Sequence, residues 1–356
     1  MPQTILEIGV TPMSSKNEVL AAAPNGRAVT LADIASQAGV STVAVSVVLN
    51  NAQSKVRVSA ATRERIMETA QRLQYRPNAV ARSLRRRRTN IIAFYAVQNI
   101  VLDPSFPFYG ALLSGLLRGC DEHQKDFLVH GTFRGMDEDA VFLELLNGQI
   151  DGLVLYSRFA TPLVARLAES RLPVVTVVHE MPDLPCVSIQ NEVAGRLLAR
   201  HIASKGYRRA LYRSPVSPMP PTLERRLAAF CAESTELGVE VAHSHSGTQW
   251  PSEEEEQILQ SPSKRPDVVV AYSDFAADGV VAYCDKNGLR VPQDLAVAGF
   301  DDLPSSLRPS RRLTTVSTKW NEATREAVRL LVARCNGEDV PMRTELPVDI
   351  LEGDTT

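Results

Sequence analysis

Apolar positions follow two regimes along the chain. Between residues 28 and 76 they recur at helical spacing in short blocks separated by turn signals, and from residue 90 onward short apolar runs alternate with longer amphipathic stretches. In the first regime Ile34, Ala35 and Ala38 form a narrow stripe. Thr30 followed by Asp33 has the spacing of a capping box, with an acid where Glu or Gln is usual. Gly39 supplies a break, because it tolerates the backbone angles of a tight turn. Ser41 is placed to cap a second helix with Val45, Val48 and Leu49 inward, and Ser59 to cap a third with Ile66, Ala70 and Leu73 on one face. Two short helices about a glycine, with a third closing the core, is helix-turn-helix geometry. A generic three-helix bundle fits the same spacing. In the helix-turn-helix case the start of the second helix enters the major groove, and its outward residues are Thr42, Val43 and Val47.

Tyr75-Arg76-Pro77-Asn78 stops the third helix, since proline has no N–H and restricts its neighbour. Residues 79–84 fit a short helix, and four arginines follow at 85–88. A helix this short is marginal in water and needs a partner to be populated. An exposed Leu84 beside those arginines suits minor-groove insertion, where an apolar wedge opens a base step and basic groups hold the backbone. A solvated linker is the other reading.

The second regime places strands at 91–97, 127–130, 152–156, 174–178, 210–212, 268–271 and 295–299. Helices lie around 109–123, 137–147, 162–169, 192–205, 222–236, 274–287 and 320–336. Repeated βα units predict parallel sheets covered on both faces, and this length suits two of them. Ligands in such folds sit at the carboxyl ends of strands.

Charge sharpens the division. The 356-residue chain has a net charge of −2, yet residues 28–89 hold 11 Lys/Arg against three acids, while 90–356 hold 26 basic and 36 acidic residues. A basic small module beside an acidic large one predicts a polyanion partner for the first, against the alternative of a solvated basic face. No apolar run approaches the roughly 18 to 20 residues that span a bilayer, and no secretory signal is visible, so the expectation is a cytoplasmic protein without a membrane partner. Five scattered cysteines without CxxC spacing read as reduced thiols. The sequence contains no GxSxG elbow, Walker loop, GxGxxG, HExxH or metal-spaced Cys/His cluster, so no enzyme, cofactor or metal site is expected. The pair His243 and His245 reads as a solvated loop, with weak metal binding as the alternative, and the acidic run 253–256 as the exposed start of a helix.

Several ordered motifs carry a resemblance. They are Thr30-Leu31-Ala32-Asp33-Ile34-Ala35, Ala38-Gly39-Val40-Ser41, Val45-Ser46, Val48-Leu49-Asn50, Val58-Ser59, Thr62-Arg63 and Tyr75 through Leu84. Together they resemble the signature of the LacI/GalR family of bacterial regulators. The resemblance implies a homodimer on a pseudo-palindromic double-stranded DNA operator, with a hinge helix ordered on DNA and Leu84 as its intercalating wedge. It assigns DNA contacts to Thr30, Ser41, Thr42, Val43, Val47, Asn50, Ser59, Tyr75, Asn78, Ala81, Arg82, Leu84 and Arg85. One departure matters: Val47 stands where the family usually has Arg. Valine offers apolar contact, for example to a thymine methyl, where arginine would read guanine bidentately. Specificity is then expected to lean on the hinge, phosphate contacts and DNA shape.

The same family pattern runs more thinly through Pro107-Phe108-Tyr109, Asp151-Gly152-Leu153, Arg226 with Phe230, Ser273-Asp274, Gly299-Phe300-Asp301-Asp302 and Leu313-Thr314-Thr315-Val316. It implies an α/β periplasmic-binding-protein-like core of two Rossmann-like subdomains. The expected domains are a flexible tail (1–27), the helix-turn-helix (28–76), hinge and basic linker (77–89), and an effector-binding and dimerisation domain (90–356). Crossovers are expected near 188–192, 317–320 and 344–348. For a small-molecule effector, Asp274 and Arg226 transfer best. Their alternatives are an N-cap for Asp274 and a surface ion pair with Glu224 or Glu233 for Arg226. Further candidates are Phe108 or Tyr109 as a stacking wall, and Tyr156, each of which also fits a core position. His179 stands where the family strand delivers a polar residue, with a structural or solvated histidine as the alternative. Thr318 and Gln190 replace a frequent Gln and Asp of the family. No terminal leucine heptad follows residue 350, so a dimer is expected. A solute-binding protein or an enzyme on the same core is the competing reading.

Overall fold

The computed structural model describes residues 29–50, 56–76, 88–97, 106–131, 133, 135–215, 217–305 and 311–356. The tail read over 1–27 and the hinge residues Asn78, Ala81, Arg82, Leu84 and Arg85 lie outside the described residues. The chain divides into two units, Met1–Arg86 and Arg87–Thr356.

In the first unit, α1 (Leu31–Ala38), α2 (Thr42–Asn50) and α3 (Ala60–Arg72) enclose a core in which Ile34, Val45 and Ile66 are fully buried. The capping box closes as the spacing requires. Asp33 N donates to Thr30 Oγ1 at 3.3 Å, and Thr30 N donates to Asp33 Oδ2 at 2.8 Å. Gly39 ends α1 with φ 63°, where a side chain would be strained, and its N–H reaches Ala35 O. The chain then turns so that α2 lies at 110° to α1. Ser41 Oγ accepts from Ala44 N, and Ser59 Oγ from Thr62 N, capping α2 and α3.

The second unit contains two sheets. The first comprises β1 (Ile91–Ala96), β2 (Asp126–Val129), β3 (Gly152–Tyr156), β4 (Val174–Val177), β5 (Cys186–Ile189) and β11 (Arg343–Leu346). Their order is β2-β1-β3-β4-β5-β11, all parallel. The second comprises β6 (Arg209–Ser214), β7 (Glu240–His245), β8 (Val268–Ala271), β9 (Ala296–Asp301), β10 (Thr314–Ser317) and β12 (Asp349–Leu351). Its order is β7-β6-β8-β9-β10-β12, parallel except where β12 runs against β10. The strand order reverses beside β1 and again beside β6, and these switch points open a crevice at the strand carboxyl ends.

The intervening helices are α4 (Pro107–Glu122), α5 (Glu138–Leu145), α6 (Pro162–Glu169), α7 (Asn191–Ser204), α8 (Pro221–Glu236), α9 (Glu253–Gln260), α10 (Asp274–Lys286) and α11 (Trp320–Cys335). The chain leaves the first sheet after β5 to enter α7 and the second sheet. It returns after β10 through α11, which packs on α4 and β3 to β5, and passes back from β11 to β12. Glycine permits the closest helix pairing: a methyl on Gly115 of α4 would lie 2.0 Å from Asn321 O of α11. At the far end of α11, Arg88 Nη2 donates to Cys335 O and its Nη1 to Asn336 Oδ1, both at 2.9 Å. A cation there also meets the negative end of the helix dipole.

The strands at 186–189, 314–317, 343–346 and 349–351 were not among the sequence expectations. The expected loop around His243 and His245 is instead strand β7, at the sheet edge, where His243 pairs with Tyr212 and His245 with Ser214 of β6. An edge strand has one open side and tolerates polar side chains. The acidic run 253–256 does open a helix, but Glu255 is buried rather than exposed. Its Oε1 accepts from the equally buried Arg213 Nε at 2.9 Å. The remaining Arg213 donors reach Ala276 O, Ser246 Oγ and Trp250 O, fastening the 246–250 loop to β6.

Burial alone would raise the Glu255 pKa, but bonds from Arg213 and Ser244 and the nearby guanidinium charge bring it below its ordinary value. A folded-state pKa below the unfolded one stabilises the fold above the carboxylate range and loses that stabilisation as pH falls. Glu255→Gln is therefore expected to cost roughly 3–5 kcal/mol at neutral pH, because a buried cation loses its counter-charge. The difference from the native chain should shrink in acid. Urea denaturation across pH measures both, and a neutral-pH loss no larger than a surface substitution gives would contradict the account.

Candidate functional site

On α2, Thr42 and Val43 are exposed, Val43 at 51%. Val47, expected outward, is half-buried: it adjoins Val48, which faces the core at 8% exposure. The side chain of Asn50 lies outside the described residues. The hydroxyls of Thr30, Ser41 and Ser59 serve as helix caps, so their backbone amides and positive dipole ends point where an anion would be favoured. Tyr75 is half-buried and packs on the three-helix core.

In the second unit the residues at strand carboxyl ends converge from both sheets. Tyr156 closes β3 and His179 follows β4; Tyr272 follows β8, Asp301 closes β9, and Thr318 follows β10. The backbone is bent sharply there. Val178 at φ 73°, Asp301 at 118°, Asp302 at 56° and Lys319 at 49° all occupy the left-handed half of conformational space, a costly state for side chains with a Cβ. Strain of this kind persists where surrounding contacts over-determine it.

Aromatic rings make one wall. Phe108 meets Trp320 edge-on at 5.7 Å and lies 6.1 Å from Tyr156, which stacks on His179 at 5.8 Å. Tyr109 joins them 6.4 Å from Tyr156. The sequence-derived candidates Phe108, Tyr109, Tyr156 and His179 thus form one cluster. His179 Nδ1 bonds Thr222 Oγ1 of α8 across the cleft at 2.5 Å. Burial, then the charges of Arg226 and Arg158, push the His179 pKa down to about 3, so the ring is neutral. Burial keeps the Tyr156 and Tyr272 hydroxyls protonated by raising their pKa values.

Arg226 is buried rather than on the surface, which removes the ion pair with Glu224 or Glu233; Glu233 pairs with Arg200. Nε and Nη2 of Arg226 donate to Asn191 Oδ1 at 3.0 and 2.8 Å, and Nη1 donates to Tyr272 O at 3.2 Å. Its guanidinium lies over the Phe300 ring at 4.3 Å. Asp274 is not the N-cap of α10, because Ser273 is, with its Oγ accepting from Ala276 N. The Asp274 carboxylate accepts from Thr315 Oγ1 at 2.6 Å and Leu303 N at 2.8 Å. It braces the turn after β9, and a methyl on Gly299 would lie 2.4 Å from its Oδ1.

Asp301 and Trp320 were not singled out from the sequence, though Asp301 lies within a quoted motif. Trp320 Nε1 donates to Asp301 Oδ1 at 2.9 Å, tying the start of α11 to the second sheet. Thr318 Oγ1 donates to Asp301 O. Asn191 and Tyr272 were also missed, and their roles depend on Arg226, distant in sequence.

Residues 30–78 match the model of the bacterial regulatory proteins of the lacI family, and residues 199–356 match a periplasmic binding protein-like domain. The chain thus carries a lacI-family helix-turn-helix domain and a periplasmic-binding-protein-like domain. Catabolite control protein A of Priestia megaterium is 29% identical over 325 residues, covering 88% of this chain and 94% of that protein. The HTH-type transcriptional repressor PurR of Escherichia coli O139:H28 is 28% identical over 341 residues, covering 91% and 95%. Among solved structures, a LacI-family transcriptional regulator from Silicibacter pomeroyi superposes with a TM-score of 0.69 at 25% identity, covering 92% of this chain and 99% of that one. The Lac repressor bound to ONPG in its repressed state superposes at 0.76 with 21% identity, covering 93% and 100%, a likeness of fold. The expected architecture, a helical headpiece and a periplasmic-binding-protein-like α/β core with two parallel sheets, is the one found. The family is made of transcription regulators.

Burial raises the Asp301 carboxyl to about 6, with Arg226 and the Trp320 bond acting in the opposite direction. A raised folded-state pKa means the fold holds the proton more tightly than the unfolded chain, so stability falls as pH rises from the ordinary aspartate range to about 6. Asp301→Asn keeps an oxygen for Trp320 Nε1 and removes this slope. In urea titrations the variant is expected to gain on the native chain across that window, by at most on the order of 3 kcal/mol. Parallel curves would count against the assignment.

Proposed function

We propose that this chain is a sequence-specific transcription regulator, in the first instance a repressor, whose affinity for an operator is set by a small molecule held in the cleft of its second unit. One observation carries the reading: a helix-turn-helix with an exposed α2 and a basic continuation stands on the same chain as a two-sheet cleft. Residues 28–89 hold eight more basic than acidic groups, enough for a salt-sensitive grip on phosphates. The start of α2 enters the major groove, with Thr42 and Val43 against base edges and Val47 supplying an apolar contact. Thr30, Ser41, Asn50, Ser59 and Tyr75 set the register on the backbone, and the stretch containing Asn78, Ala81, Arg82, Leu84 and Arg85 works in the minor groove.

The Lac repressor has been crystallised as a dimer on its operator with the anti-inducer ONPF, and the regulator CelR with cellobiose. By analogy this chain acts as a homodimer on double-stranded DNA, with the effector contacting Phe108, Tyr109, Tyr156, His179, Arg226 and the Asp274 region. Effector binding shifts the balance between two arrangements of the subdomains, which requires different affinities for the two. A binding protein rather than an enzyme is favoured because the buried polar groups of the cleft are engaged with one another: Asp274 with Thr315, Arg226 with Asn191, His179 with Thr222. No single helix among the described residues is long and apolar enough to cross a membrane. A DNA-binding role sets the cytoplasm as the working compartment.

Selection of bound fragments from genomic DNA, followed by gel shift, tests the reading. Leu84→Ala is expected to weaken operator binding far more than binding to bulk competitor. Equal losses would remove the wedge, and a native chain with no sequence preference would remove the function.

A further inference from the structure

At the cleft stands a cation with no partner among the described residues. Arg158 follows β3 by two residues, at the carboxyl end of the first sheet, and is half-buried. Its charge acts on Tyr109, Tyr156 and His179 on one side of the cleft and on Tyr272 on the other. Its position just beyond the carboxyl end of β3, two residues after Tyr156, places it at the rim of the cleft. Among the described residues it has neither a hydrogen bond nor an ion-pair partner. The contrast with Arg226, which holds Asn191 and Tyr272 O, and with Arg213, which holds Glu255, is direct. Those two guanidiniums are held by fold contacts, while among the described residues nothing takes the Arg158 donors.

Among the described residues no carboxylate pairs with it, since Asp301, whose charge acts on Tyr156 and Tyr272, is bonded to Trp320, and several donors stand nearby. The hydroxyls of Tyr109, Tyr156 and Tyr272 stay protonated, because burial raises each of their pKa values. The His179 ring is neutral, and with Nδ1 at Thr222 its Nε2 is left for another partner. Asp301 is occupied by Trp320. A half-buried guanidinium without a partner is costly, and a planar fork beside hydroxyl donors matches a carboxylate in shape and charge.

We propose that the effector of this chain is a small organic acid whose carboxylate is held by Arg158, with its body against the Phe108, Tyr156 and Trp320 rings. The inference rests on the cleft being an effector site. It excludes a neutral sugar or nucleoside as the cognate ligand. A phosphate ester shares the negative charge but presents a tetrahedral dianion, and the planar fork favours the carboxylate.

The test uses the full-length chain and matched probes at constant ionic strength: glucuronate against glucose, benzoate against benzamide, with acetate as the minimal carboxylate and inorganic phosphate as the other anion. Thermal stabilisation and intrinsic fluorescence report binding, in the native chain and in Arg158→Gln. The expected result is saturable binding of at least one carboxylate, weakened about tenfold or more in the variant, with the neutral partner of the pair inert. Arg158→Lys should recover part of it. Three outcomes overturn the proposal: equal binding to native and variant, binding of neutral members or phosphate alone, or no saturable response to any carboxylate. Operator gel shift on the same preparations separates the two failures. A chain that binds its operator but ignores Arg158 removes only the anion, and one that binds carboxylate through Arg158 without an operator removes only the regulatory reading.

Discussion

Parallel strands all end with the same polarity, and the rest of the second unit follows from that. Two such sheets, entered and left by the same chain, bring their carboxyl ends face to face. The residues at those ends cannot continue the ladder, so their polar groups must find other partners. Here they find one another across the gap, His179 with Thr222 and Trp320 with Asp301. The left-handed backbone at Val178, Asp301, Asp302 and Lys319 is what it takes to aim those side chains inward.

The headpiece was legible because its signals are local. Thr30, Gly39, Ser41 and Ser59 each act within one helical turn, and capping and turn chemistry depend on little else. The helices and most central strands of the second unit were also readable from period and apolar runs. Two of the strands that escaped notice, β5 and β10, carry hydroxyls. Ser188, Thr314, Thr315 and Ser317 look polar in sequence yet are buried. Thr315 Oγ1 donates to Asp274, and Thr314 N donates to Thr355 Oγ1, partners distant along the chain. The β7 pair His243 and His245 misled for the opposite reason, since an edge strand resembles a loop in composition.

The cleft was only partly legible for a related reason. Residue type identified Arg226 and Asp274 as chemically able, but not which partners would claim them. Arg226 is fixed by Asn191 and Phe300, and Asp274 by Thr315 and Leu303, all supplied by the fold. Arg158 carried no sequence expectation, and among the described residues nothing claims it. What a cleft can recognise is set by the groups that folding leaves over.

Helix α11 has sixteen residues, a rod of about 24 Å. One tip carries Trp320, hooked to Asp301; the other carries Cys335 and Asn336, which clasp Arg88, the last arginine of the basic linker. A hydrogen-bonded helix is stiff along its axis. Its two tips therefore belong to one stiff body, which joins the indole in the cleft to the clasp on the linker.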